Sequence, residues 1–193
     1  MKSKRATFLI ILRPLICFIN KYIFRVKYYG LDNIPEKGNF IFAGNHTSIY
    51  DCLLLVSAAK RPPYFLAKKE LHETKIGNWF FRNCGTIPVD RSKKNPDVLK
   101  EAKKILNEGK IIAIFPEGTT NKTDNIILPF KYGAVKMSID TNSRIIPFVI
   151  KGKYKFFKKG VSITFLKPLD ILENITEYNL NLMNVIKKEL ENK

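Results

Sequence analysis

Short apolar runs rich in β-branched residues alternate along this chain with longer stretches whose apolar residues recur every three or four positions. The first pattern marks buried strands and the second amphipathic helices, and their alternation is that of an α/β domain. Strands are expected over 25–29, 40–43, 64–67, 86–89, 111–115, 145–150 and 161–166. Helices are expected over 50–59, 71–83, 96–107, 132–140 and 177–190. The helix from Pro96 is the best marked: Asn95 suits its cap, Pro96 its first position and Gly109 its end. In the last helix Leu180, Met183, Ile186 and Leu190 share one face, a stripe typical of core packing. No repeat, low-complexity tract or long linker divides the chain. One α/β domain is therefore expected over 25–193, preceded by a segment of different character over 1–24.

That first segment is basic at Lys2, Lys4 and Arg5 and then apolar from Ala6 to Ile19. Arg13 and Pro14 interrupt the apolar stretch, and no small-residue cleavage site follows. The uninterrupted run falls short of the ~20 apolar residues a membrane-spanning helix needs. The expectation is a helix lying in the membrane interface, with Phe8, Leu9, Leu12 and Ile16 dipping into the acyl region. A core helix kinked at Pro14 is the alternative.

Charge narrows the choice of partner without making it. Thirty-four basic against 17 acidic residues leave a net charge of +17, which favours an anionic partner: nucleic acid, an acidic lipid surface or an acidic carrier protein. No helix-turn-helix, zinc-finger spacing or aromatic RNA-binding signature is present, which speaks against specific nucleic-acid binding. Between Lys151 and Lys159 cations interleave with Tyr154, Phe156 and Phe157. Such a run suits either a surface resting on lipid headgroups or a solvated hairpin with a cationic tip. Three widely spaced cysteines without a Cys-x-x-Cys fit a reducing compartment and neither a disulfide scaffold nor a zinc site. With only His46 and His72 available, a histidine-rich metal centre is not expected either.

Candidate chemistry begins at Asn45-His46-Thr47-Ser48-Ile49-Tyr50-Asp51, directly after the apolar run 39–44. A neutral imidazole can take a proton from a hydroxyl near pH 7, and a carboxylate can fix its tautomer and stabilise the imidazolium. Five residues along a straight helix would set the two side chains about 140° apart. They can meet if His46 lies in the turn leaving a strand and Asp51 in the first turn of the next helix. Asp51 also suits that first turn simply as an acid facing the helix dipole.

Three further segments stand at expected strand ends, where the loops of α/β folds build sites. Gly85 to Arg91 delivers a guanidinium that can grip a phosphate with two parallel hydrogen bonds, or form a surface pair with Asp90. Phe115-Pro116-Glu117-Gly118-Thr119-Thr120 would present Glu117 and two hydroxyls at a loop tip; it is also an ordinary turn string. Leu128 to Ala134 places Lys131 near a helix start, a workable anion site, and leads on to the strand holding Pro147.

These four blocks, in this order, resemble the glycerolipid acyltransferases, and above all the lysophosphatidate (1-acylglycerol-3-phosphate) acyltransferases. The family's Asn-His-x-x-x-x-Asp, Gly…Asp-Arg, Phe-Pro-Glu-Gly-Thr-Arg and proline-centred apolar strand match Asn45 to Asp51, Gly85 to Arg91, Phe115 to Thr119 and Ile145 to Ile150. Ala67 to Leu71 is similar to the family's sequence between the first two blocks. Ordered blocks are far more specific than any one of them. The resemblance implies a mixed, largely parallel central sheet flanked by helices, as in glycerol-3-phosphate acyltransferase. It implies an enzyme without metal or bound cofactor, working at the cytoplasmic face of the cell membrane. Its substrates would be an acyl carrier protein or coenzyme A thioester and a lysophospholipid. His46 would be the base and Asp51 its partner, with Asn45, Lys68, Arg91, Glu117, Gly118, Thr119 and Lys131 holding substrate. One departure stands out: Thr120 replaces the family's arginine. Lys122, Lys131 or Lys68 would have to supply the missing cation, as a point charge rather than a planar fork.

Overall fold

The five residues Phe40–Gly44 form a strand buried along its whole length, and this strand organises the domain. The structure, a computed structural model, describes residues 6–90 and 96–192. Arg91 and Asn95, and with them the expected phosphate grip and helix cap, lie outside the described residues. The strands are β1 (Lys27–Tyr29), β2 (Phe40–Gly44), β3 (Tyr64–Lys68), β4 (Thr86–Val89), β5 (Ile111–Ile114), β6 (Ile145–Gly152) and β7 (Val161–Phe165). The helices are α1 (Thr7–Phe18), α2 (Asp51–Ala58), α3 (Lys75–Asn83), α4 (Pro96–Asn107), α5 (Gly133–Thr141) and α6 (Ile175–Glu191).

Among the described residues these strands make one sheet in the order β1-β7-β6-β2-β5-β3-β4. Every pairing is parallel except β6 with β7, an antiparallel hairpin. Strands covered on both faces need side chains that are apolar throughout, which is why β2, β5 and β6 read as continuous runs rather than alternations. Phe42 sits opposite Ala113 on one side and Ile146 on the other, with no exposed surface. Helices α1, α2 and α3 pack together on one side, and α4, α5 and α6 form the other layer. Asn174 caps α6, accepting from the amides of Thr176 and Glu177, so this helix starts two residues earlier than periodicity suggested. The single helix expected over 71–83 is a short 3-10 turn, Lys69–His72, followed by α3, which Thr74 caps by accepting from Gly77.

The N-terminal helix corrects one expectation. Leu9 and Ile16, assigned to the acyl region, are buried in the protein core, and Phe8 packs edge-on against Trp79 at 5.0 Å between ring centroids. Leu12 also packs against that core. Ile10, Ile11, Leu15 and Phe18, each more than half exposed, make the outward apolar face instead. Arg13 fixes this rotation: its guanidinium donates to the carbonyls of Val56 and Ser57, both at 3.2 Å, satisfying the C-terminal end of α2. Pro14 lies inside the helix without ending it, and the chain continues into a π-helical turn, Ile19–Ile23. No helix among the described residues is long and apolar enough to cross a membrane.

Candidate active site

The chain leaves β2 toward β3 on one side, whereas β5 leads through α5 to β6 on the other. Such a reversal opens a crevice at the carboxyl ends of the strands, and the loops after β2 and β5 meet there. His46 and Glu117 occupy those loops.

The dyad forms as its spacing allowed. His46 lies in the turn after β2, Asp51 is the first residue of α2, and Nδ1 approaches Asp51 Oδ2 at 3.0 Å. Asp51 is fully buried, while His46 keeps 14% of its side-chain surface. A buried carboxylate needs donors on every side. Oδ2 receives the backbone amides of Thr47 at 2.7 Å and Ser48 at 2.8 Å, and Oδ1 receives the Tyr154 hydroxyl at 2.7 Å. An ionised carboxylate only accepts, so a neutral ring paired with it through Nδ1 donates there and keeps its free lone pair on Nε2. Phe115 stacks on the imidazole face, with 4.0 Å between ring centroids and 19° between planes. The ring is held at its edge and on its face.

Glu117 does different work from that expected. Its Oε1 accepts from the His46 amide at 2.8 Å and its Oε2 from the Leu128 amide at 2.9 Å. Burial pushes its carboxyl up, opposed by these two amides. With both oxygens turned to backbone, Glu117 ties the two loops together instead of gripping a ligand directly. Asn45 is corrected in the same way. Its side-chain amide donates to the Ile150 carbonyl at 2.9 Å and accepts the Ile150 amide at 2.8 Å, clipping the end of β2 to β6. Its carbonyl oxygen and one of its two N–H donors are thus committed to backbone.

The remaining candidates divide. Gly118 adopts a left-handed φ of +73°, and Lys131 lies across it so closely that an added Cβ would meet Lys131 Cε at 2.9 Å. The Lys131 amide also donates to the Pro116 carbonyl at 2.9 Å. Of the three lysines considered for the missing arginine, Lys131 is thus tied to the loop concerned. Thr119 is exposed beside it. Lys68 stands exposed at the end of β3, two strands from β2. A polar cleft of about 410 Å³ opens beside His46, lined by Asn121, Thr123, Asn125 and Lys151 among others. Asn121 joins it to the dyad by donating its amide to the His46 carbonyl at 2.8 Å. Among the described residues no cluster of His, Cys, Asp or Glu is arranged to hold a metal ion.

Sequence reasoning missed Tyr154, Phe115 as a stacking partner and the amides of Thr47 and Ser48. Phe115 adjoins the Pro-Glu-Gly block and could have been suspected. Nothing local marked Tyr154, which lies 103 residues from Asp51 in the chain.

Comparison with known proteins agrees with the four blocks. A family model described as Acyltransferase matches residues 25–151. A 1-acyl-sn-glycerol-3-phosphate acyltransferase of Bacillus subtilis is 32% identical over 180 residues, covering 87% of this chain and 89% of that protein. One from Borreliella burgdorferi is 32% identical over 174 residues, or 85% of this chain and 69% of that protein. The crystal structure of the 1-acyl-sn-glycerophosphate (LPA) acyltransferase from Thermotoga maritima superposes with a TM-score of 0.75 at 26% identity, covering 95% of this chain and 80% of that one.

Proposed function

This chain belongs to the acyltransferase family, and from that premise we propose that it transfers a fatty acyl group from a thioester to the free hydroxyl of lysophosphatidate, giving phosphatidate in phospholipid synthesis. What carries the reading is the His46–Asp51 pair, its acid fully buried and its partly exposed imidazole lining a cleft.

The lysolipid hydroxyl is a poor nucleophile, so His46 Nε2 takes its proton as the oxygen attacks the thioester carbonyl. Asp51 balances the imidazolium charge. The tetrahedral intermediate then expels the thiol as the C–S bond breaks, and the proton passes from His46 to the leaving sulfur. An ester C–O bond has formed and a free thiol leaves. Direct transfer is favoured over an acyl-enzyme by the state of the adjacent thiol: burial, and then the Asp51 charge, push Cys52 up to about 12. Lys131, which lies against Gly118 in the same loop as Thr119, would receive the acceptor's phosphate, with Arg91 a further candidate for it. Acyl carrier protein and coenzyme A are both acidic donors that suit a net charge of +17.

A membrane surface at the cytoplasmic face is the proposed workplace. In support, the outward faces of α1 and α3 expose Ile10, Ile11, Leu15, Ile76 and Trp79, and the β6–β7 connection exposes Phe156 and Phe157 between lysines. Thr120 favours a second reading, in which the acceptor is glycerol 3-phosphate or a lysolipid with another head group.

Purified protein given acyl carrier protein and coenzyme A thioesters with a panel of acceptors on anionic vesicles decides among these. Thiol release with lysophosphatidate, abolished by His46→Ala, is the expected result. Release equal in wild type and His46→Ala overturns the dyad mechanism. Preference for another acceptor selects the second reading, and Thr120→Arg should then restore use of the phosphate-bearing one.

A further inference from the structure

Asp51 Oδ1 faces away from the imidazole, and its short partner is not backbone but the Tyr154 hydroxyl, which donates at 2.7 Å. The Thr47 hydroxyl is more distant from it, at 3.3 Å. Tyr154 lies just past β6 in the connection to β7, and its ring is held in an aromatic box. Phe24 meets it edge-on at 5.4 Å between centroids and Tyr50 at 5.6 Å. The box is itself anchored: the amide of Phe157 in the same connection donates to the Ile23 carbonyl at 2.6 Å. A phenol placed this way does two things to a carboxylate: it withdraws negative charge and it fixes the orientation. Burial and the Asp51 charge both push the Tyr154 phenol up, so it remains a protonated donor at any working pH.

We propose that Tyr154 is a positioning residue for the acyl transfer, setting through Asp51 how strongly the His46 ring holds its proton. The inference rests on the acyl-transfer reading of the dyad. Three groups around Asp51 then share the task. The amides of Thr47 and Ser48 fix Oδ2 toward the ring, and Tyr154 draws charge toward Oδ1. Other titratable groups near the dyad are Glu117 from the loop after β5, Tyr28 on β1 and Cys52 on α2. Burial pushes Tyr28 and Cys52 each up to about 12, so both stay neutral.

Removing the hydroxyl leaves more negative charge facing Nδ1, which stabilises the imidazolium. Tyr154→Phe therefore moves the protonation midpoint of His46 upward by about half a pH unit, as expected for partial loss of a hydrogen bond to an ion. Only two histidines are present, so ring proton resonances followed by NMR report it directly once His72→Gln assigns the other. In turnover, kcat should fall about tenfold, the scale of a lost hydrogen bond to a charged group, with KM for the lysolipid within about twofold. The acid limb of kcat/KM, which reports the free enzyme, should move with the NMR midpoint. Replacing Tyr154 with 3-fluorotyrosine keeps the shape and makes the phenol a stronger donor, so the midpoint should move downward. That second variant decides the matter should Tyr154→Phe not fold. An unmoved midpoint in the variants that fold, or a loss confined to KM, overturns the proposal. Because the NMR titration needs no substrate, failure of the wild type to acylate lysophosphatidate would refute the proposed reaction and leave the role of Tyr154 separately decided.

Discussion

His46 and His72 carry the same ring and differ in what faces it. His46 meets a fully buried carboxylate at 3.0 Å and an aromatic face at 4.0 Å. His72 meets neutral groups, Thr86 Oγ1 at 3.1 Å and Asn78 Oδ1 at 3.4 Å, and so pins the turn after β3 to β4 and α3. Burial pushes the His72 imidazole down, with the Asn78 contact opposing. A base must accept a positive charge in mid-reaction, and only His46 has a fixed anion waiting for it. The partner makes the difference, not the ring.

The largest effect should come from removing that anion. Asp51→Asn, like His46→Ala, should reduce acyl transfer about 10,000-fold with the fold intact, measured as thiol release beside a thermal melt. A smaller loss would mean that the backbone amides and Tyr154 orient the loop without need of a charge. Next in size is Glu117→Gln, whose new NH2 must face one of two backbone amides, His46 or Leu128. It should cost about 1–3 kcal/mol of stability by denaturant titration, as a buried group is left unpaired. Turnover should fall with it, because the His46 loop loses its tie.

The smallest effect belongs to His72→Gln, which should leave kcat within about twofold of wild type. Its signature lies in pH dependence. A histidine whose folded value is depressed binds fewer protons folded than unfolded, so it costs stability as pH falls through its ordinary value near 6.5. The variant should flatten that part of the stability curve. A loss of turnover matching His46→Ala would erase the contrast between the two rings.

Much of the fold was legible in the chain. Apolar runs such as 40–43, 111–115 and 145–150 proved to be central strands because parallel strands covered on both faces leave no position for a polar side chain. The dyad was half legible: His46 in a strand-end turn and Asp51 in the next helix's first turn can meet, as they do at 3.0 Å, but Asp51 also suited that turn simply as an acid facing the helix dipole. The roles of Asn45 and Glu117 were not legible. Both lie in blocks that read as substrate-binding, yet each is turned to backbone, Asn45 to Ile150 some 105 residues away and Glu117 to His46 and Leu128. The face of α1 was misread for a related reason: an apolar helix with several apolar faces does not reveal which one the protein takes. Arg13, reaching the end of α2, decided it.

Local order in the chain, then, determined which elements form and which side chains could do chemistry, because backbone preference, apolar period and short spacings act over a few residues. Tertiary structure alone decided which oxygen of Asp51 meets the ring, which meets Tyr154, and which polar groups are already occupied. Those outcomes depend on hydrogen bonds between segments about a hundred residues apart, and no local pattern encodes a partner that only folding brings near.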